Sequence, residues 1–163
     1  MENLLLLRRQ VQGSKLEVLR RLLREKYANP IELNRLVISL QDDFGLTGVE
    51  MADKVDFDRT VLNKIKHLSY ILPKIQEEII ETHREKSNIT VHVLYELSKF
   101  KGYTEQYKYW KLIRDNKITV KGLAQARLKS PSNVADQKLL KKLVDQLGVQ
   151  RAISALEKEI NKG

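Results

Sequence analysis

The side chains best suited to chemistry lie on one short stretch, residues 59–67, and all its charged side chains are basic. Arg59 and Asn63 are one helical turn apart on it. Arginine can form two hydrogen bonds with guanine in the major groove of DNA, and asparagine can do the same with adenine. This pattern predicts a helix that reads the base edges of double-stranded DNA.

The neighbouring polar residues fit the same use. Thr60 can contact a thymine methyl group or a phosphate, while lysines and the Thr47 hydroxyl suit phosphates. Together the residues predicted to bind DNA in this part of the chain are Thr47, Arg59, Thr60, Asn63, Lys64, Lys66 and His67.

A helix of this kind must be held by a partner helix, and residues 46–68 have the pattern of a helix-turn-helix. Ala52 is the small residue at the predicted crossing, and Asp56 lies where the turn requires positive φ, which aspartate tolerates. Asp58 is then the N-cap of the second helix. The predicted inward-facing residues are Met51, Val55, Phe57, Leu62 and Ile65.

The rest of the chain also reads as helix, with 7 glycines and 3 prolines in 163 residues and no convincing strand alternation. Ser14 is the predicted cap of a helix that ends near Tyr27. Asn29 and Glu32 predict a capping box around Pro30, in a helix that ends at Gly45. Further helices are predicted to open at Thr47, Asp58, Pro73, Thr90, Thr104 and Thr119. We therefore expect an all-α fold of about ten short helices.

Three segments are predicted: an N-terminal helical extension (1–28), a DNA-binding domain (29–130) and a C-terminal helical hairpin (131–163). The extension is leucine-rich on one side and arginine-rich on the other. It suits a membrane surface or a partner helix, and packing on the domain or on a second protomer is favoured. The hairpin, with a break at Gly148, either closes the core or forms a homodimer.

Composition narrows the function classes. The 30 basic and 21 acidic residues give a net charge of +9, which favours a polyanionic partner. The absence of cysteine excludes a disulfide scaffold, a thiol nucleophile and a cysteine zinc site. No apolar run is long enough to cross a membrane, and Leu4 to Leu7 is followed by arginines instead of a signal-peptide cleavage site. We expect a soluble cytoplasmic protein associated with the nucleoid.

Catalytic patterns are lacking. The histidines, His67, His83 and His92, are 16 and 9 residues apart, which does not place two metal ligands on one helix face. Glu77, Glu78 and Glu81 have no partner that sequence positions for acid–base work, and no glycine-rich phosphate loop occurs. The chain is therefore not expected to be an enzyme or to hold a cofactor or metal.

A second basic block, residues 99–129, interleaves lysines with aromatic residues. Stacking of bases on the aromatic rings would make a single-strand platform. However, Tyr103, Tyr107 and Trp110 have the spacing of a core face, which is the favoured interpretation. Lys108 and Lys111 are then predicted to contact duplex phosphates beside the recognition helix.

The order of these segments resembles the central DNA-binding domain of the ParB/KorB family of partition and plasmid-regulatory proteins. The resemblance covers about residues 28–127. It rests on Asn29-Pro30-Ile31-Glu32, the helix to Phe44-Gly45-Leu46-Thr47, the helix-turn-helix, Leu68 to Gln76, Ile89-Thr90-Val91-His92 and Ile118-Thr119-Val120-Lys121. It implies sequence-specific DNA binding in plasmid, viral or chromosome partition, or in the transcriptional regulation coupled to it.

The chain departs from the family before Asn29. Complete members carry an N-terminal domain with an arginine-rich motif that binds CTP, whereas Arg8-Arg9 lacks the preceding glycine and the strand pattern. The resemblance therefore implies the DNA-reading module without nucleotide binding. Two alternatives stay open: a helical protein–protein adaptor, and a non-specific binder of RNA or single strands.

Overall fold

In the computed structural model every regular element is helical, among the residues that the structure describes: 2–83, 88–130 and six positions between 138 and 148. The all-α prediction is confirmed. The helices are α1 (Glu2–Arg24), α2 (Pro30–Asp42), α3 (Gly48–Val55), α4 (Arg59–His67), α5 (Pro73–Thr82), α6 (Val91–Ser98), α7 (Tyr103–Arg114) and α8 (Val120–Leu128), with a 3-10 turn at Leu68–Tyr70.

Two compact units divide the chain, residues 1–123 and 124–163. The first contains the helices described below. Of the second, the predicted hairpin of residues 131–163 lies largely outside the described residues. Gly148 is described there and has a φ of 73°, a conformation that favours glycine.

Most helices begin where their capping residues predict. Thr90 and Thr119 accept hydrogen bonds from the backbone N–H groups of Val93 and Gly122, and Pro73 is the first residue of α5. The prediction for Thr104 was wrong, because α7 begins at Tyr103 with Gly102 as its N-cap and includes Thr104 in its first turn. The two threonine caps and the proline each favour a helix start at these positions.

One predicted cap, Ser14, and one predicted capping box, Asn29 with Glu32, were wrong. Ser14 lies within the 23-residue α1, where its hydroxyl donates to the Gln10 carbonyl, so the helix passes through it. At α2, Asn29 Oδ1 accepts from the Ile31 N–H at 2.9 Å, but Glu32 makes no reciprocal bond to a described residue. The bond from the N2 position is sufficient to cap this helix.

One buried cluster joins the first four helices. Leu19 of α1, Val37 and Leu40 of α2 and Met51 of α3 meet Ile65 of α4 in it. Phe44 and Phe57 pack against its edge, and Gly45 beyond the end of α2 has a φ of 69°. Because apolar burial is the main favourable term in folding, this core holds α3 and α4 on the α1–α2 pair.

A second region of packing surrounds Trp110, which is fully buried. Its indole Nε1 donates to Glu78 Oε2 at 2.7 Å, and the Tyr107 hydroxyl donates to Glu78 Oε1 at 3.3 Å. The predicted core role of these aromatics is therefore right for Trp110 and half right for Tyr107, which is half-buried. It was wrong for Tyr103, whose side chain is 57% exposed.

Candidate nucleic-acid interface

The start of α3 is built by a capping box. The Thr47 hydroxyl accepts from the Glu50 N–H at 3.2 Å, and Glu50 Oε2 accepts from the Thr47 N–H at 2.8 Å. The Thr47 hydroxyl also donates to Glu50 Oε2, with 2.8 Å between the two oxygens. These bonds lower the pKa of Glu50 and keep it ionised. A phosphate contact by Thr47, as predicted, would require this hydroxyl to leave Glu50.

The connection between α3 and α4 has the predicted backbone. Asp56 has φ 52° and ψ 60°, in the left-handed region, and its N–H bonds to carbonyls at the end of α3. Asp58 Oδ1 then accepts from the Thr60 N–H at 2.6 Å and caps α4. This bond is the main cause of the lowered pKa of Asp58. The turn and both caps fix where α4 begins.

The inner side of α4 consists of Leu62 and Ile65, both buried against α2 and α3. A helix anchored on these two residues must present the rest of its surface to solvent. The residues of α4 with exposed side chains are Arg59, Thr60, Asn63, Lys66 and His67, and Lys64 is half-buried. This is the outward set that the sequence predicts.

The C-terminal end of α4 is held by a buried amide that the sequence analysis missed. Asn34 of α2 is 3% exposed, and its Nδ2 donates to the carbonyl of Ile65 at 2.8 Å and to that of Lys66 at 3.2 Å. Its distance to Ser69 Oγ is 3.0 Å. The Leu68 N–H bonds to the same two carbonyls, so Asn34 is a second donor, supplied by another helix, at the C-terminal end of α4.

Three concavities meet along the outer side of α4. The largest has a volume of about 640 Å³ and shares Asn63 and Lys66 with a second of about 320 Å³. It shares His67 and Tyr70 with a third of about 490 Å³. The residues that line the largest concavity are Ile38, Thr60, Asn63, Lys64, Lys66, His67, Ser69, Tyr70 and Tyr95.

We call the combined lining of these three concavities the basic face. It contains Arg59, Lys64, Lys66, Lys99 and Lys101, and none of its lining residues is an aspartate or glutamate. Among the described residues, the side chains of Arg59, Asn63 and Lys66 make no hydrogen bond or ion pair, and all three are exposed. Such cations and amides are available for a ligand that carries negative charge and hydrogen-bond acceptors.

Helix α6 borders the basic face and adds aromatic and cationic groups. Lys64 Nζ lies 3.3 Å from His92 Nδ1, where the ammonium can donate to a neutral imidazole. The His67 ring lies 5.5 Å from that of Tyr95 and 5.4 Å from that of Tyr70. Lys99 is also in this region and pairs with Glu96 at 2.6 Å. The aromatic rings therefore make a wall beside the second half of α4.

Lys108 and Lys111 do not line the basic face. They lie on α7, and neither lines any of the three concavities of the basic face. Lys108 is over the ring of Tyr109, and Lys111 is over that of Tyr107, so each contacts an aromatic neighbour on its own helix. Their predicted phosphate contacts beside α4 stay a prediction.

The sequence missed Tyr95 as well as Asn34. Tyr95 is three residues after His92, on the same side of a helix, and this spacing could have linked the two to one surface. Asn34 stands among the apolar residues of α2, and a polar side chain in that position requires a buried partner. Neither signal specifies that the partner is α4.

The described residues include neither a group of metal ligands nor a membrane-spanning helix. There, no three His, Cys, Asp or Glu side chains come together as a group that could hold a metal ion. Among the same residues, the helices are all too short or too polar to span a membrane.

Comparison of the chain with known protein families, with curated proteins and with solved structures gives no match. The resemblance to the ParB/KorB family therefore stays a prediction from the sequence.

Proposed function

We propose that the chain is a sequence-specific double-stranded DNA-binding protein that docks α4 in the major groove. One observation carries the proposal: on α4, Arg59, Asn63 and Lys66 have no side-chain partner among the described residues, and they lie on a face where no described lining residue is acidic. Nucleic acids are the polyanions that combine closely spaced phosphates with base-edge acceptors, which match these cations and this amide.

The dimensions of α4 agree with this docking. Nine residues rise about 13 Å along a helix, comparable to the width of about 12 Å of the major groove. Arg59, Thr60 and Asn63 are in its first two turns, which are the turns that reach base edges in recognition helices. Lys64 and Lys66 follow and are positioned for phosphates on either side. The carboxylates of Glu50 and Asp58, whose pKa values are lowered, are engaged in the caps of α3 and α4.

The biological role that we propose is partition of DNA or regulation of transcription, carried out on the nucleoid. The resemblance of residues 28–127 to the ParB/KorB family supports this role, as does the net charge of +9. No catalytic step, cofactor or metal enters the proposal.

The proposal is tested by selecting bound duplexes from random DNA at about 150 mM salt, where non-specific phosphate contacts are weakened. We expect a defined motif. Recovery of duplexes without a motif would contradict base reading, and no recovery would favour the adaptor alternative.

Substitutions then assign the contacts on the selected site. Arg59→Ala and Asn63→Ala are each expected to reduce discrimination by about 1–3 kcal/mol while non-specific binding persists. Lys66→Ala should weaken all duplexes alike and reduce the salt slope by about 1. The matched control is Lys26→Ala, which removes one charge from a residue that lines another concavity, beside Glu25.

The single-strand alternative has its own outcome in the same assay. If Lys108→Ala or Lys111→Ala weakens binding most and single strands compete as well as duplexes, the α7 block is the binding surface. Loss of binding in those two variants with no effect of Arg59→Ala would overturn the proposal.

A further inference from the structure

We propose that the outer side of α1 is a surface for self-association, which pairs with the same helix of a second copy of the chain. The proposal is independent of DNA binding. It concerns four aliphatic residues, which we call the α1 stripe: Leu4, Leu7, Val11 and Val18, with side chains 71%, 56%, 41% and 37% exposed.

The α1 stripe has the spacing of a helix–helix seam. Its members are 3, 4 and 7 residues apart, which corresponds to the a and d positions of heptads. The missing position is Ser14, whose hydroxyl donates to the Gln10 carbonyl at 3.0 Å. Because that proton is used within the helix, Ser14 can face apolar side chains at small cost.

The α1 stripe adjoins the side of α1 that packs on its own core, and Leu22 lies where the two meet. The inward side consists of buried Leu19 and of half-buried Leu16, Leu22 and Leu23, which contact the cluster under α2 and α3. Helix α1 therefore has two apolar sides, and its own fold uses one of them. An apolar stripe of this kind on a soluble domain marks an interaction site.

The cations beside the α1 stripe favour a protein partner over a lipid surface. Arg8 donates to the Asp43 carbonyl at 2.7 Å, and Lys15 pairs with the Asp43 carboxylate at 3.5 Å. Arg20 donates to the Lys54 carbonyl at 2.5 Å. A membrane-surface helix needs its flanking cations for lipid phosphates, whereas here three of them are bonded to the fold.

The residue types fit two strands in a parallel pair. In a parallel coiled coil, valine at a and leucine at d favour two strands, and Val11, Val18 and Leu7 follow this rule, whereas Leu4 is at an a position and Ser14 at a d position. The four residues of the α1 stripe offer on the order of 350 Å² of apolar surface, less than half of one side of a standard interface. We therefore expect a reversible dimer at micromolar concentration, in place of an obligate one.

A cysteine-free chain permits a direct test of the register. In a parallel pair the two copies of position 11 face each other, so Val11→Cys is expected to form a disulfide-linked dimer under mild oxidation. Arg9→Cys is the matched control, because Arg9 is exposed on the opposite side of α1. Equal cross-linking of both variants, or of neither, would overturn the parallel seam.

The oligomeric state of the full chain is measured by sedimentation velocity from about 1 to 200 µM. We expect a monomer–dimer equilibrium that Leu7→Asp weakens at least tenfold. Val49→Asp, which places the same charge at an exposed aliphatic residue of α3, should leave it unchanged. A monomer at every concentration overturns the proposal. So does a dimer that Leu7→Asp leaves intact, since its contacts would then lie elsewhere.

Anionic vesicles of phosphatidylglycerol and phosphatidylcholine test the remaining alternative, in which the α1 stripe binds a lipid surface. Cosedimentation of the wild-type chain with these vesicles that Leu7→Asp abolishes, with no dimer in solution, would assign the α1 stripe to a lipid surface. Dimerisation with no vesicle binding supports the proposal.

Discussion

Replacement of Asn34 tests whether one buried amide holds the C-terminal end of α4. Its Nδ2 group donates to the Ile65 carbonyl at 2.8 Å and contacts the Lys66 carbonyl and Ser69 Oγ at 3.2 and 3.0 Å. Each of the three hydrogen bonds contributes about 1 kcal/mol net, and both carbonyls keep the Leu68 N–H as a donor when Asn34 is removed. Asn34→Ala is therefore expected to lower the free energy of unfolding by about 2–3 kcal/mol.

Asn34→Asp makes the test sharper, because it keeps the size of the side chain and replaces the donor by a carboxylate. At pH 7 the introduced carboxylate would face two carbonyl oxygens, which raises its pKa above that of an unfolded aspartate. A raised pKa means that the folded state binds the proton more tightly, so stability recovers as pH falls. We expect a loss of at least 2 kcal/mol at pH 7 and a smaller loss near pH 4.5.

The assay is urea unfolding, followed by circular dichroism and by the fluorescence of Trp110. This residue is the single tryptophan of the chain and is fully buried. A change in midpoint with an unchanged m-value reports stability alone. The control is Asn63→Ala, which removes the same amide from the exposed side of α4 and should change stability by less than about 0.5 kcal/mol. Equal stability of the Asn34→Asp variant and the wild type at pH 7 would refute the assigned role of Asn34.

Three further predictions concern the turn between α3 and α4, the N-terminal cap of α4 and the titration of His83. Asp56→Gly should stabilise the chain by up to about 1 kcal/mol because glycine adopts φ 52° without strain, and a lower urea midpoint would contradict this. Asp58→Ala should cost about 0.5–2 kcal/mol through loss of the α4 cap, whereas Asp58→Asn should retain most of it, both measured by thermal unfolding. Burial lowers the pKa of His83, against the raising effect of Glu32, so the unfolded state binds its proton more readily. Stability should therefore fall as pH drops below about 6.5, and His83→Gln should flatten this dependence in urea titrations at pH 7.5 and 5.5.

Local sequence rules predicted the part of the site that depends on nearby residues. The positive φ of Asp56, the cap at Asp58 and the inward direction of Leu62 and Ile65 each follow from residues within one or two turns. The capping box of α3 was available by the same rule, since Thr47 and Glu50 are three residues apart.

Predictions that depend on contacts between helices were less accurate. Ser14 has the residue type of a cap, but the apolar side of α1 continues through it and the helix does not stop. Tyr103 has core spacing, yet the packing around Trp110 ends before reaching it. The contact between Asn34 and α4 joins residues more than 30 positions apart, and spacing along one helix holds no information about such a pair.

The two ends of α4 are closed by contacts of very different range, and this has a consequence for the order in which the chain folds. The cap at Asp58 joins residues two positions apart, so it can form within an isolated turn. The contact of Asn34 with Ile65 spans 31 positions and forms only once α2 has docked. We therefore expect the N-terminal turn of α4 to be structured in the folding transition state and its C-terminal turn to be largely unformed. Substitutions at Asp58 would then slow folding, whereas substitutions at Asn34 would speed unfolding.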